Sequence, residues 1–133
     1  MTILIDTNIM IAAAVYPCGQ IAKAFFKATA WPYECVICDY CVDEFKRVIR
    51  TKFPKHISIA DSFLATALVA AEIISTPDDE DIMEYSIRDT KDRPILRAAL
   101  NADIDFILTG DKDFLQSGIK KPRMITAAEF LAL

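Results

Sequence analysis

The sequence is poor in the residues that nucleophilic catalysis most often needs. A single histidine, His56, stands in 133 residues and lies outside every motif described below, so there is no Ser–His or Cys–His arrangement to supply an activated nucleophile. Glycine is scarce, at 3, and proline numbers 6 against 53% hydrophobic residues, which fits a folded, helix-rich chain with short loops. Long apolar runs are missing as well. The longest, Phe63 to Val69 and on to Ile74, is broken by Glu72 and is too short to span a bilayer. The apolar N-terminus has no basic leader and carries Asp6 and Asn8 where a signal peptide would be uninterrupted, so a soluble, cytoplasmic protein is expected. There is also no basic excess: Lys and Arg total 15 against 19 acids, for a net charge of −4. That gives no global attraction to nucleic acid. It counts only weakly against a nucleic-acid enzyme, because clustered acids can be metal ligands whose charge the ion largely offsets.

Cysteine numbers 4, and three of these form a C-x2-C-x2-C array, Cys35, Cys38 and Cys41, with Cys18 as a possible fourth ligand. That spacing alone suits zinc or an iron–sulfur cluster. However, Glu34–Cys38 reads as a strand and Cys41 falls on the apolar face of the following helix. Reduced, buried thiols acting as small hydrophobes are therefore expected.

What is present is organised around the first strand. Thr2 to Ile5 is a short, continuous apolar stretch of the kind buried on both faces of a parallel sheet, and it runs straight into Asp6. In open α/β sheets the carboxyl ends of strands are where ligand crevices form. A carboxylate there costs free energy unless its charge is compensated. The plain alternative is that Asp6 only makes a turn or cap. Thr7 and Asn8 suit the end of the strand and the cap of a helix over Ile9–Val15.

The same alternation continues. A helix is expected from Gln20 to Thr29 with Ile21, Ala24, Phe25 and Ala28 on its apolar face, then the strand Glu34–Cys38. Asp39 is placed to cap a helix from Tyr40 to Lys52 whose stripe is Cys41, Phe45, Val48 and Ile49. Glu44 sits at the edge of that stripe, whereas Asp43 projects away from it. A helix from Ser58 to about Glu72, a short strand Ile73–Ser75 and a short helix Ile82–Ile87 follow. The acid run Pro77–Asp81 starts that last helix, whose N-terminus favours negative charge. Asp92, with Pro94 in the first turn, opens a helix from Arg93 to Asn101 and lies on the face of Ile95, Leu96 and Ala99. It reads both as an N-cap and as a carboxylate aimed at the body of the protein. A strand Phe106–Thr109 then ends in Gly110-Asp111-Lys112-Asp113, ahead of a short helix near Phe114–Gln116. The strand Arg123–Ile125 and a capped helix, Thr126–Leu131, complete the chain.

Strands alternating with helices imply an α/β fold with a central, mainly parallel sheet covered on both faces, formed by one domain over 1–133. If the strands ending in Asp6 and in Asp111 and Asp113 are neighbours, their ends converge, and the helices bearing Glu44 and Asp92 add theirs. Four or five clustered carboxylates do not all stay ionised without a cation. With no His or Cys among them, the all-oxygen set favours Mg2+ or Mn2+ over zinc.

Ile5-Asp6-Thr7-Asn8, Glu44 followed by Val48-Ile49, Asp92 ahead of Ala98-Ala99-Leu100, and Thr109-Gly110-Asp111-Lys112-Asp113-Phe114 together resemble the PIN-domain family, in the family's order and over almost the whole chain. The resemblance implies a PIN-like three-layer fold and divalent-metal-dependent ribonuclease activity leaving 5′-phosphate and 3′-hydroxyl ends. It implies Asp6, Glu44, Asp92 and Asp111 as metal-binding and catalytic acids, Asp113 as a further acid, and Asn8 and Thr109 as supporting polar residues. Asp89 stands close enough to Asp92 to leave open which of them is the ligand. Many small members resemble VapC-type toxins, which makes RNA the implied substrate. A small antitoxin protein or a second copy of the chain becomes the implied partner. Lys46, Arg47, Arg50, Lys52 and Lys55 form the densest basic group and the natural candidates for the RNA backbone, or else a solvated helix face. Three competing readings stand beside this one. A haloacid-dehalogenase-like phosphatase would need a second Asp where Asn8 stands. The others are a non-catalytic PIN-fold RNA- or protein-binding module and a structure-specific DNA nuclease.

Overall fold

Thr2–Ile5 (β1) is the central strand of a five-stranded, all-parallel sheet in a computed structural model that describes all 133 residues. The other strands are Glu34–Cys38 (β2), Glu72–Ile74 (β3), Phe106–Leu108 (β4) and Arg123–Ile125 (β5), in the order β3-β2-β1-β4-β5. Ile3, Leu4 and Ile5 are fully buried, as an apolar run at the centre of a parallel sheet requires. β1 pairs with β2 from Thr2↔Glu34 to Leu4↔Val36 and with β4 from Ile3↔Phe106 to Ile5↔Leu108.

This order sets the position of the site. From β1 the chain winds outward through β2 and β3, then returns to the other side of β1 with β4 and continues to β5. The winding reverses between β1 and β4, and a doubly wound sheet opens its crevice at the carboxyl ends of the strands flanking such a reversal. Asp6 follows β1 directly, and Thr109 and Asp111 follow β4.

The helices flanking the sheet are Thr7–Val15 (α1), Gln20–Ala28 (α2), Asp39–Lys52 (α3), Ile57–Ala70 (α4), Arg93–Asn101 (α5), Lys112–Leu115 (α6) and Ala127–Leu131 (α7). α1 packs on α2, α3 and α4, while α3 also meets α5. No single helix is long and apolar enough to cross a membrane.

Several boundaries differ from the sequence reading. α1 begins at Thr7 rather than Ile9, because the Asp6 carboxylate accepts the Thr7 N–H at 2.7 Å and is itself the cap. α3 starts at Asp39, whose carboxylate accepts from the backbone N–H and hydroxyl of Thr76 at 3.0 and 2.6 Å and ties the exit of β3 to the start of α3. α4 stops at Ala70 because Glu72 is already in register with Val36 on β2. Ile21 is 37% exposed, and Ala22 takes the buried place on α2. The helix after β4 starts two residues early, at Lys112, because Asp111 caps it by accepting the Asp113 N–H at 2.9 Å.

The acid run at 77–81 serves structure, as expected, through its last residue. Asp81 caps a 3-10 turn over Ile82–Ser86 in a capping box with Glu84. Glu84 is 1% exposed and takes a bidentate pair from Arg97 on α5 at 2.8 and 2.9 Å, while Arg97 Nη1 donates to the Pro77 carbonyl at 3.0 Å. The fork geometry satisfies both carboxylate oxygens, which a buried charge requires. The pair pins the long segment between β3 and α5 to the helix whose start carries Asp92.

The cysteines follow the thiol reading. Cys35, Cys38 and Cys41 are buried and free, Cys18 is exposed, and their sulfurs do not come together as a ligand cluster. Burial pushes the Cys35 thiol up to about 12, which keeps it protonated and inert.

Candidate metal centre

At the sheet's reversal point the side chains of Asp6, Asn8, Glu44, Asp89, Asp92 and Asp111 line one cleft of about 330 Å³, with Arg47, Lys52 and Lys91 among the other residues around it. Asp6 is 2% exposed and held from two sides. Its Oδ1 accepts the Thr7 N–H, and its Oδ2 accepts the Thr109 hydroxyl at 2.7 Å. Thr109 Oγ1 in turn accepts the Asp111 N–H at 3.0 Å, so one hydroxyl links the ends of β1 and β4. Thr109 lies one residue past β4, yet its N–H still donates to the Ile125 carbonyl at 3.0 Å, which fixes the side chain inward. Asn8 is exposed on the first turn of α1 at the rim of the same cleft.

Asp92 is the second buried acid, 8% exposed. It occupies the N-cap position of α5 but makes no capping hydrogen bond, and its buried Oδ2 has no hydrogen-bond partner. The expected capping role is therefore absent. The residue's αR backbone, φ −90° and ψ −16°, differs from the extended geometry of a working cap and leaves the carboxylate free to face the other acids.

Electrostatics follow from this packing. Burial pushes the Asp6 carboxyl up to about 6, with the negative charges of Asp111 and Glu44 adding to the shift against the hydrogen bonds from Thr109 and Thr7. Burial likewise pushes Asp92 up to about 8, helped by the nearby carboxyls of Asp111, Asp6 and Asp89. Two acids raised this far in one cleft are what desolvation and like-charge crowding produce when no cation compensates them.

The acids are not equally close. The tightest grouping is Asp89, Asp92 and Asp113, with one carboxylate oxygen from each lying within 4.8 Å of the others. Glu44 is turned toward Arg47, its Oε2 3.6 Å from the guanidinium, one turn along α3. Asp113 does not line the cleft; it stands beside Asp89 and Asp92 and pairs with Arg88 at 3.1 Å. Asp43 is exposed and opens on a neighbouring groove of about 430 Å³ that it shares with Glu44, Lys46, Arg47 and Arg50. Glu44 and Arg47 line both spaces, so the basic face of α3 runs into the acid cleft. Tyr40 at the start of α3 donates its hydroxyl to the Lys91 carbonyl at 2.6 Å and fastens the segment carrying Asp89 across the cleft.

A hard divalent cation fits this donor set. Every candidate ligand is a carboxylate or an amide, and a buried carboxylate oxygen stands without a partner. Lys52, one of the basic group read from the sequence, reaches this cleft, whereas Lys91 and Thr51 were not singled out, because nothing in their local pattern separates them from an ordinary solvated surface.

Residues 2–113 match the family model described as PIN domain. No curated protein matches the sequence. Among solved structures, the chain is similar to VapBC2 from Rickettsia felis bound to a promoter DNA fragment, with TM-score 0.70, 17% identity, and coverage of 95% of this chain and 98% of that one. DNA-bound VapBC from Salmonella typhimurium gives TM-score 0.69 and 14% identity over 96% and 98%. Mycobacterium tuberculosis VapC20, described as a sarcin–ricin-loop-cleaving toxin, gives 0.65 and 14% over 88% and 95%. At such identities the likeness is one of fold.

Proposed function

The chain belongs to the PIN-domain family, and on that premise we propose that it is a divalent-metal-dependent endoribonuclease hydrolysing RNA phosphodiester bonds, the cytoplasmic toxin of a toxin–antitoxin pair. The observation that carries this reading is the gathering of Asp6, Glu44, Asp92 and Asp111 at the reversal point of the sheet, around a buried carboxylate oxygen that lacks a partner. These four acids would hold Mg2+ or Mn2+. When bound, such an ion supplies a water of lowered pKa and offsets the charge developing at phosphorus.

The chain's own residues do the rest. Thr109 holds the Asp6 carboxylate in one orientation through the bond to Oδ2, and Thr7 holds Oδ1. Asn8, exposed at the rim, offers an amide that can donate to a phosphate oxygen and accept from a ribose hydroxyl. Arg47, Lys46 and Arg50 line the groove that joins the cleft, a phosphate track beside the acids. The overall acidity opposes this less than its size suggests, since an ion at the acid cluster offsets much of the negative charge there. Lys46→Ala with Arg50→Ala should weaken RNA binding. It should also lower the slope of log affinity against log salt by about 1.4, at roughly 0.7 per lost contact to a single strand. Equal affinity and slope in the double variant would make that face of α3 a mere solvated surface.

The partner follows from the same premise. Two of the similar structures are VapBC assemblies, and α4 leaves Ile59 and Val69 59% and 89% exposed, while Ile73 of the edge strand β3 is also exposed. A small antitoxin or a second copy of the chain would cover apolar surface of this kind. Light scattering on the purified chain, alone and with the product of any short neighbouring reading frame, distinguishes these partners from a monomer.

The test of the activity is a set of substrates offered together with Mg2+ or Mn2+. Single-stranded and structured RNA should be cut. Cutting confined to flap or junction DNA would favour the DNA-nuclease reading, release of phosphate from small monoesters would favour a phosphatase, and no cutting at all would favour a binding module.

A further inference from the structure

We infer that the amino end of the sheet carries a second RNA-binding surface, a basin with Phe106 at its floor and Lys120, Lys121 and Arg123 around it, remote from the acid cleft. This rests on the proposed ribonuclease reading and adds a substrate class to it: RNA strands long enough to reach from one end of the sheet to the other. The basin has a volume of about 600 Å³, against about 330 Å³ for the acid cleft. Its cations come from one short stretch, Lys120-Lys121-Pro122-Arg123, in a chain whose net charge is −4. All three are exposed, and neither Lys120 nor Arg123 has a carboxylate within ion-pair distance. Lys121 stands 3.3 Å from Asp103, but the two side chains are 65% and 86% exposed, so solvent screens the pair and a phosphate can replace it. The one acid lining the basin, Asp105, is committed elsewhere. Its Oδ2 accepts the Thr2 N–H at 2.9 Å and the Thr2 hydroxyl at 3.1 Å.

The surface is built on the sheet rather than on a loop. Phe106 and Arg123 are register partners on β4 and β5, and the Arg123 N–H donates to the Asp105 carbonyl at 2.9 Å. The Arg123 guanidinium lies 5.9 Å from the centre of the half-buried Phe106 ring. A ring beside cations is the combination that holds single-stranded nucleic acid: ring and guanidinium stack on bases while ammonium groups take phosphates. An acidic peptide would use the charges and have no use for the ring. Basin and cleft lie at opposite ends of the same strands, about 16 Å apart through the sheet at roughly 3.3 Å per residue from Met1 to Asp6. A strand joining them must pass around the domain, so a short oligonucleotide fills one and not both.

The probe is fluorescein-labelled single-stranded RNA, its binding to the full-length chain followed by anisotropy in EDTA. Single-strand site sizes run from about 4 to about 16 nucleotides, so a strand at the low end serves as the short probe and one several times the high end as the long probe. Lys120→Ala with Arg123→Ala, both at exposed positions, should weaken long-strand binding by about tenfold at low salt and lower the salt slope by about 1.4. Phe106→Leu keeps an apolar side chain on β4 and should weaken it by about fivefold or more with the slope unchanged, since stacking carries no counterion release. With Mg2+ present, the double variant should raise KM for the long strand at unchanged kcat and cut the short strand as wild type does. Unchanged long-strand affinity and slope in the double variant would overturn the basin and leave the proposed function standing. So would displacement of the long strand from wild type by a mononucleotide, or by an oligoglutamate peptide, as effective as displacement by unlabelled RNA. A long strand bound through the basin and never cut with either metal would overturn the proposed function and leave the basin standing.

Discussion

Asp6→Asn should lower metal-dependent RNA cleavage by about a thousandfold or more, because a ligated cation contributes several kcal/mol to the transition state and each 1.4 kcal/mol is roughly a factor of ten. The substitution is chosen to spare the fold. Asparagine's oxygen can still accept the Thr7 N–H that starts α1. The Thr109 hydroxyl, which donates to Asp6 Oδ2 in wild type, can turn and accept from the new amide. What disappears is the negative charge at the end of β1. A melting temperature no lower than that of wild type, together with lost cleavage, identifies the charge as the cause. Full cleavage by the variant would assign the activity to another site or another protein.

Asp92→Asn should have the opposite sign in a different measurement: it should raise the melting temperature of the metal-free protein at pH 8 by roughly 10 °C. Burial first, and neighbouring carboxyls second, push Asp92 from 3.8 to about 8 and Asp6 to about 6 in the folded chain. Between the unfolded and folded values the native state holds protons that the unfolded state has released, so stability falls as pH rises across that window. The contribution of these two groups is fully present below about 3.8 and is lost through about 6 for Asp6 and about 8 for Asp92. Each unit of displacement is worth about 1.4 kcal/mol, so an ionised Asp92 costs several kcal/mol that a neutral amide does not. In the variant the decline with pH should flatten. Saturating Mg2+ should reverse the order, since wild type gains the binding free energy and the variant does not. A metal-free variant that melts below wild type at pH 8 would mean that Asp92 is held by interactions favouring its charge.

The parts of this site that could be read from the sequence were those carried by local pattern. Apolar strands ending in Asp6 and in Thr109–Asp111 could be seen directly, and the helical phase that puts Glu44 at the edge of the α3 stripe, with Asp43 exposed, holds in the structure. Strand adjacency was conditional in the sequence, because nothing local states that β4 returns to the side of β1 opposite β2; the ladder Ile5↔Leu108 supplies it. Asp92 was read as a cap as well as a site residue, and its free oxygen depends on a backbone conformation that composition does not encode. Glu84 gave no sign of its buried pair with Arg97, thirteen residues away across an irregular segment. Asp89 was visible only as a neighbour of Asp92. Its meeting with Asp113 comes from two segments that tertiary packing alone brings together. Of the α2 stripe read from the sequence, Ala24, Phe25 and Ala28 are buried, while Ile21, in the first turn of the helix, is 37% exposed.

The most direct test of the central claim is cleavage of an end-labelled single-stranded RNA by protein stripped of metal with EDTA, then dialysed and supplied with Mg2+ or Mn2+. The expected result is no cleavage after stripping and recovery on adding back either ion, as an all-carboxylate centre at Asp6, Glu44, Asp92 and Asp111 requires. Cleavage that continues undiminished in excess EDTA would contradict it.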